Sequence, residues 1–215
     1  MRSHRPLLLC IAAAGIALFA NAGAAQTLSG AALVNALRNG GYVIVMRHAR
    51  SPNDLPDARA AQTDNVNLER QLDEEGRATA TAMGSALRDL NIPIAEVLTS
   101  PTYRARETAR LAGWTQAKSA PELGDNGRGM QQVAPDAQTA WLLARASQKP
   151  AADANAILVT HLPVLARAFP QASAGLADGE ALIVAPDGKG GATVAARVTI
   201  EEWPRLADGR HIPSN

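Results

Sequence analysis

The chain has 215 residues, the length of one domain of ordinary size. Its 21 Lys and Arg residues nearly balance its 20 Asp and Glu residues, so the net charge is only +1. No block of basic residues indicates a nucleic-acid or membrane-surface partner, and a single cysteine, Cys10, allows no internal disulfide.

The first 25 residues are typical of a secretory signal peptide. Arg2 and Arg5 precede an apolar run over 7–20, and small residues over 22–25 resemble a cleavage site. The run is shorter than the ~20 residues that a membrane span requires. We therefore expect an exported protein, with the periplasm as its compartment. The mature domain would span 26–215 and contain no integral membrane segment.

Cleavage there changes the composition of the remaining chain. Removing Arg2 and Arg5 from the 21 basic residues leaves 19 against 20 acidic residues, a net charge of −1. The mature chain would have no cysteine, and therefore no Cys-based nucleophile or metal ligand. Its histidines would be His48, His161 and His211, which are too far apart for a short metal-ligand motif. We expect no metal and no cofactor.

Hydrophobic periodicity over the first half of the chain predicts a helix capped by Thr27 or Ser29 and ending at Gly40. A buried strand over 42–47 follows and stops at Arg47-His48. The polar stretch 51–69 contains two prolines and has no sustained period. Such a long connection is usually functional, so we expect it over the site, although a merely solvated insertion is the alternative.

The remaining elements alternate between helices and strands until the C-terminal part. They are a helix over 74–90, a strand over 95–100, a helix that opens with Ser100-Pro101 and runs to 113, an irregular stretch over 115–134, a helix over 136–147, a strand over 156–160 ending at His161, a short helix over 162–169, and a hairpin of 181–185 with 192–200. This order predicts an α/β fold of three layers, α/β/α, with a mostly parallel sheet and a C-terminal antiparallel hairpin.

Cationic side chains follow three of the predicted strands. Arg47-His48 and His161 end strands directly, and Arg104 lies in the first turn of a helix, where its side chain leans back towards the strand end. Ligands bind at the carboxyl edge of such sheets. Two guanidiniums, two imidazoles and free helix N-terminal N–H groups suit a phosphoryl dianion, and an imidazole there could act as a nucleophile.

Each of these residues also has an ordinary structural explanation. A histidine after a buried strand often only bonds the next turn, and Arg104 could form a solvated pair with Glu107. For one residue alone the structural explanation is favoured. For four cationic residues at one sheet edge, we favour a site.

Several segments, spanning about 40 to 199, resemble the histidine phosphatase superfamily, which has the phosphoglycerate mutase-like fold. VIVMRHARS is similar to its Arg-His-Gly strand end, and LDEEGRATA to its leucine, glycine and alanine helix start. SPTYRARETA resembles its Ser-Pro, Arg-Ala and Thr-Ala segment, and LVTH its second histidine. The Gly-Gly-Tyr lead-in and Gly179-Glu180 resemble exported lipopolysaccharide-core heptose phosphatase-like members.

The resemblance implies roles for the four cationic residues. His48 would be the phosphorylated nucleophile, Arg47 and Arg104 would bind the phosphate, and His161 would stabilise the transition state. The function that the resemblance implies for the protein is metal-independent hydrolysis of a small phosphorylated substrate. A cell-envelope phosphosugar is a reasonable candidate for that substrate. A phosphohistidine phosphatase or a mutase of the same fold is an alternative. A non-catalytic phosphate-binding envelope protein is a further one.

The proton donor is less clear, because this chain departs from the family pattern at two places. Ala49 replaces the glycine after the first histidine, and Leu162 follows His161 where the acid phosphatase branch has Asp. The mutase-like branch places a glutamate after the Arg104 helix, where Glu122 and Asp125 lie. Glu180 is a third candidate, because it begins a strand expected to start at the catalytic edge. We favour Glu180 slightly.

Overall fold

The computed structural model describes residues 27–127 and 130–209. Its helices and strands, in chain order, are α1 (Gly30–Arg38), β1 (Val43–Arg47), α2 (Glu74–Asp89), β2 (Ile94–Thr99), α3 (Tyr103–Leu111), β3 (Lys118–Ser119), a 3₁₀ helix (Pro121–Leu123), α4 (Pro135–Ala146), β4 (Asn155–Thr160), α5 (Leu162–Ala168), β5 (Ala181–Pro186), β6 (Ala192–Val198) and α6 (Glu202–Ala207). The predicted signal peptide lies outside the described residues.

Within the described residues, six strands form one sheet in the order β3-β2-β4-β1-β5-β6. β1 pairs with β4, and β2 with β4 and β3, all in parallel. β5 runs antiparallel to both β1 and β6. The predicted fold, a mostly parallel sheet with a C-terminal antiparallel hairpin, is confirmed.

Strand β1 shows why helices must cover both faces of the sheet. Successive side chains of a strand point to opposite faces. Ile44 and Met46 join one buried cluster, and Val43 and Val45 join another. The first cluster includes side chains of α1, α2, α3 and α6, and the second includes side chains of α4 and α5. A strand buried on both faces carries a continuous apolar run, as VIVM does.

The element boundaries differ from the predicted ones mostly by a residue or two, with one informative exception. Helix α3 begins at Tyr103 with Thr102 as its N-cap, so the prediction that Ser100 caps it with Pro101 in the first helical position is wrong. The Ser100 hydroxyl instead accepts a hydrogen bond from Thr102 N and contacts His161. The predictions also missed β3, the 3₁₀ helix and α6, which are too short to show a period.

Helix α2 packs unusually close to the end of β1. The amide of Asp73 donates to the carbonyl of Arg50, two residues after His48. A Cβ at Gly76 would lie 2.1 Å from that same carbonyl oxygen, so only glycine fits there. The glycine of LDEEG therefore permits a close contact that holds the chain following His48.

No helix in the described ranges is both long and apolar enough to cross a bilayer.

Candidate active site

The ends of three parallel strands lie in register at one edge of the sheet. The amide of His48 donates to Thr160 O at 3.0 Å, and the amide of Ser100 donates to Val159 O at 2.8 Å. Residues just after β1, β2 and β4 are therefore neighbours. The strand ends therefore meet as expected. The buried side chains at this edge of the sheet include polar ones, in contrast to the apolar core.

Arg104 connects the two histidines. Its Nε lies 3.0 Å from His48 Nε2, and its Nη2 lies 3.1 Å from His161 Nδ1. The imidazole rings face each other edge-on with centroids 5.2 Å apart. All three residues are nearly inaccessible to water, being 3–5% exposed. The structure thus brings together three of the four side chains expected to form the site in one direct contact network.

The contacts of His48 determine which ring nitrogen carries its proton. Nδ1 lies 2.8 Å from the carbonyl oxygen of Ala49, which can only accept. Nε2 accepts from Arg104 Nε, which can only donate. Both contacts are satisfied when the proton is on Nδ1 and the lone pair is on Nε2. The imidazole therefore presents a free base at Nε2, the state that a nitrogen nucleophile requires.

His161 takes the opposite tautomer for the same kind of reason. Its Nδ1 accepts from Arg104 Nη2, so its proton lies on Nε2 and is donated to Ser100 Oγ at 2.8 Å. Ser100 is fully buried. The serine of the Ser-Pro segment thus fixes the ring of the second histidine and leaves its Nδ1 on the side of Arg104.

Burial and like charges keep both imidazoles neutral. Burial, followed by the proximity of His161 and Arg104, lowers the pKa of His48 well below its usual 6.5. Burial, followed by the charge of Arg104, lowers the pKa of His161 to about 3, against the opposing effect of Asp125. At neutral pH both rings are therefore uncharged, and the positive charge of the cluster belongs to its arginines.

Arg47 is held beside this cluster by the segment before β5. Its Nη2 lies 2.6 Å from Asp178 Oδ1, and its Nη1 donates to Leu176 O at 3.3 Å. Its Nε is buried and has no hydrogen-bond partner within 27–127 and 130–209. The charge of Arg47 contributes, as a smaller cause, to the lowered pKa values of both histidines. An unpaired donor on a cation is a natural contact for an anion.

Arg70 is a further arginine of this region, one that was not predicted from the sequence as a site residue. It donates to the carbonyls of Pro52 and Ser51 at 2.7 and 2.8 Å. Burial, followed by the charge of Arg104, lowers its pKa, and Asp125 and Asp178 oppose this. Arg70 follows the loop 51–69, which has no regular pattern, so nothing in the sequence singled this residue out. The prediction that the loop lies over the site indicated the region but not the residue.

The loop itself is anchored to the start of α3, next to Arg104. Tyr103 OH donates to Asp64 Oδ1 at 2.6 Å, and Tyr103 N donates to Glu69 Oε2 at 2.9 Å. Glu69 thereby bonds a free N–H of the first turn of the helix. These contacts favour the loop-over-site interpretation above a merely solvated insertion.

The three acidic candidates for proton donation lie in different surroundings. Asp125 Oδ2 lies 2.5 Å from Arg104 Nη2. Glu122 lies in the 3₁₀ helix, and no contact among the described residues joins its carboxylate to the two histidines or to Arg104. Glu180 is buried, and its two oxygens accept hydrogen bonds from Arg197 Nε and Ala177 N. Of the three, Asp125 is the one in direct contact with the cluster.

Opposing effects act on Asp125. Burial raises its pKa, but the hydrogen bond from Arg104 and the nearby positive charge outweigh burial and hold the pKa below its usual value. In the free protein Asp125 is thus ionised and neutralises part of the charge of Arg104. Sequence alone could place Asp125 after α3 but could not pair it with Arg104.

The chemistry that these residues allow is anion binding with nucleophilic attack by nitrogen. Arg104 and the neighbouring Arg47 supply the positive charge, and His48 supplies an unprotonated Nε2. No cluster of three or more metal-ligating side chains occurs in the described ranges. These features define a buried cluster of arginine and histidine side chains, suited to an anion, at the carboxyl edge of an α/β sheet.

Comparison with known proteins agrees with this class. Residues 43–141 match the profile of the Histidine phosphatase superfamily (branch 1), so this region of the chain is similar to that superfamily. None of the curated proteins compared with the chain matches it.

Solved structures show the same fold at low identity. The chain is similar to the protein histidine phosphatase SixA in complex with tungstate, with 22% identity, 74% of this chain and 97% of that chain covered, and a TM-score of 0.53. It is also similar to a structure described as a phosphohistidine phosphatase SixA from Agrobacterium tumefaciens, with 16% identity, 74% and 98% covered, and a TM-score of 0.51.

Proposed function

We propose that this protein is a metal-independent phosphatase that hydrolyses phosphomonoesters through a phosphohistidine on His48. The observation that carries the proposal is the arrangement of His48, whose proton is held on Nδ1 by Ala49 O while Arg104 Nε donates to the unprotonated Nε2. A guanidinium at that nitrogen is where a phosphoryl group would have to be bound for in-line attack.

The reaction would occur in two displacements. His48 Nε2 attacks phosphorus, a P–N bond forms, and the P–O bond to the leaving alcohol breaks. Water then attacks the phosphohistidine and loses a proton to the group that protonated the leaving oxygen, the P–N bond breaks, and phosphate and free His48 result. Arg104, Arg47 and His161 would stabilise the charge on the equatorial oxygens in both steps.

Proton transfer to the leaving oxygen is best assigned to Asp125. In the free protein Asp125 is ionised against Arg104. A bound phosphoryl dianion would draw Arg104 away and place negative charge beside the carboxylate, and both changes raise its proton affinity. Glu122 and Glu180 remain candidates from the sequence, without a contact to Arg104 among the described residues.

A phosphohistidine substrate is the second candidate of the same class. An imidazole leaves phosphorus with less help from an acid than an alkoxide does, which suits a site whose nearest acid is ionised. The fold similarity to SixA-type proteins is consistent with this alternative. A mutase is less favoured, because the proposed export would separate the protein from glycolytic phosphates.

Export to the periplasm and a cell-envelope phosphosugar substrate complete the proposal. Both rest on the sequence, the first on the pattern of residues 1–25 and the second on the resemblance to heptose phosphatase-like proteins. The mature protein would be the single domain 26–215. A phosphate-binding protein without turnover is the rival from another class.

The test is hydrolysis of p-nitrophenyl phosphate by the mature protein in excess EDTA. We expect turnover that survives the chelator and disappears in His48→Ala, while His211→Ala serves as the matched control and keeps the activity. Turnover by His48→Ala at the parent's rate would overturn the proposal. Well-folded parent protein that binds vanadate without turning over ester would support the binding-protein rival.

A further inference from the structure

The buried acid Glu180 makes contacts that connect it to the site indirectly. Its side chain is 7% exposed, and each carboxylate oxygen accepts a hydrogen bond. Arg197 Nε donates to Oε1 at 2.7 Å, and Ala177 N donates to Oε2 at 2.8 Å. Within the described residues neither oxygen contacts His48, Arg104 or His161. A role as the acid that protonates the leaving group has no geometric support here.

Arg197, on the neighbouring strand β6, extends the same contact network. Its Nη1 donates to Ala174 O at 2.9 Å. The Glu180–Arg197 pair therefore holds the short segment 174–179 at two points, Ala174 and Ala177. Both points are backbone groups, so the pair fixes the path of the chain and leaves the side chains of the segment free to act elsewhere.

That segment is what contacts the end of β1. Leu176 O and the Asp178 carboxylate both bind the guanidinium of Arg47, and Gly179 N donates to His48 O at 2.9 Å. Gly179 has φ +72°, and a Cβ there would lie 2.6 Å from Ile200 Cδ1. The segment thus packs against Ile200, just after β6, on one side and supports the two adjacent site residues on the other.

We propose that Glu180 and Arg197 form a positioning pair, which fixes segment 174–179 and thereby aims Arg47 at the bound phosphoryl group. This inference rests on the proposed phosphatase function. It replaces proton donation by Glu180 with an indirect role: the pair never touches substrate. Glu180 is the buried member of the pair and Arg197 the exposed one, so removal of Arg197 leaves a buried carboxylate without its charged partner, which is costly.

The two roles of Glu180 predict different responses to the leaving group. A proton donor matters for phenyl phosphate and little for p-nitrophenyl phosphate, whose leaving group departs as a stable anion. A positioning residue acts on the phosphoryl group, which the two esters share. Glu180→Gln and Arg197→Met should each lower kcat/KM about 10- to 100-fold, equally for both esters, as expected for a misplaced binding group.

The double variant provides a second criterion. If the two residues act as one unit, Glu180→Gln combined with Arg197→Met should cost no more than either single change. Vanadate should bind each variant more weakly by a similar factor, and Ala177 N and Gly179 N should exchange with deuterium faster. Asp125→Asn, by contrast, should reduce turnover of phenyl phosphate more than that of p-nitrophenyl phosphate.

Glu107→Gln is the matched control. Glu107 is also a buried carboxylate, 5% exposed, and accepts from Arg110 Nε at 2.7 Å. The Glu107→Gln variant should be destabilised as Glu180→Gln is. Its kcat/KM should nevertheless stay within about threefold of the parent's, a change in activation free energy of under about 1 kcal/mol. Assays at temperatures below the unfolding transition of every variant ensure that differences in stability do not affect the comparison.

Either of two results would overturn the inference. One is a loss in Glu180→Gln confined to phenyl phosphate, and the other is a loss no larger than that of Glu107→Gln. Failure of the proposed function would look different, because it would appear in the parent as absent turnover or in a fully active His48→Ala. In that case unchanged vanadate affinity and exchange rates in Glu180→Gln would still refute the positioning pair.

Discussion

Arg104 Nε lies 3.0 Å from His48 Nε2, so the cation that would bind the phosphate also occupies the nucleophilic nitrogen. A phosphoryl substrate would have to insert between the two, and the guanidinium would then move from the imidazole to phosphoryl oxygens. Without an anion, the contact holds Nε2 of His48 unprotonated and oriented. Asp125 Oδ2 and His161 Nδ1 both accept from Nη2 of the same guanidinium.

Arg104→Lys tests this bridging geometry. An ammonium is a point charge and cannot contact His48, His161 and a phosphoryl group with a planar fork. We expect kcat/KM for p-nitrophenyl phosphate to fall about 10²–10³-fold, the usual cost of losing one charge-stabilising donor. Arg106→Lys, an exposed arginine on the same helix, should leave it unchanged. Equal effects of the two substitutions would contradict the role of Arg104.

Arg70→Met tests the guanidinium that the sequence did not reveal. Its positive charge acts on the same region as Arg104 and Arg47, so its removal should weaken the binding of anions. We expect vanadate affinity to fall about tenfold, with KM rising more than kcat falls, as for a charge-assisted contact. The control is Arg59→Met, an exposed arginine of the preceding loop, 51–69. An unchanged vanadate affinity would remove Arg70 from the site.

Stability should decrease as pH falls below 6.5, partly because of the two buried histidines. Folding lowers the pKa values of His48 and His161, so below 6.5 the unfolded chain binds protons that the folded chain does not. Each contributes a slope of up to about 1.4 kcal/mol per pH unit. Urea unfolding from pH 7 to 5 should show a shallower loss in His48→Gln than in the parent. Parallel curves would mean that His48 is protonated in the folded state.

Gly76→Ala should destabilise the protein although alanine is the better helix former. The new Cβ would overlap Arg50 O, so α2 or the chain after His48 has to shift. We expect a loss of about 1–3 kcal/mol, typical of overpacking, together with reduced activity. Thr81→Ala, at an exposed position of α2, should not destabilise in thermal or urea unfolding. A Gly76→Ala variant as stable as the parent would show that the contact is relieved at no cost.

The sequence was sufficient to predict those site residues whose position follows from the backbone topology. Arg47, His48 and His161 end apolar strands, and Arg104 falls in the first turn of a helix, so topology alone brings them to one edge. The antiparallel start of β5 at that edge was also predictable, and Arg47 N indeed donates to Glu180 O. Short elements such as β3 were not predictable, because two residues show no period.

What could not be predicted depends on partners that are distant in sequence. The Glu180 side chain turns to Arg197 on the next strand, a contact set by pairing across the hairpin. The Asp125 pair with Arg104 and the approach of Arg70 depend on loop paths without a regular pattern. Backbone position follows from periodicity, whereas the direction of a loop side chain is decided by its three-dimensional contacts.

The most direct test of the central claim is the chemical identity of the intermediate. Protein mixed with a phosphomonoester and quenched in alkali should carry phosphate on His48, and ³¹P NMR with peptide mass spectrometry should place it on Nε2. The tautomer fixed by Ala49 O predicts that nitrogen. Phosphate on Nδ1 or on another residue, or turnover with no trapped phosphohistidine, would contradict the account.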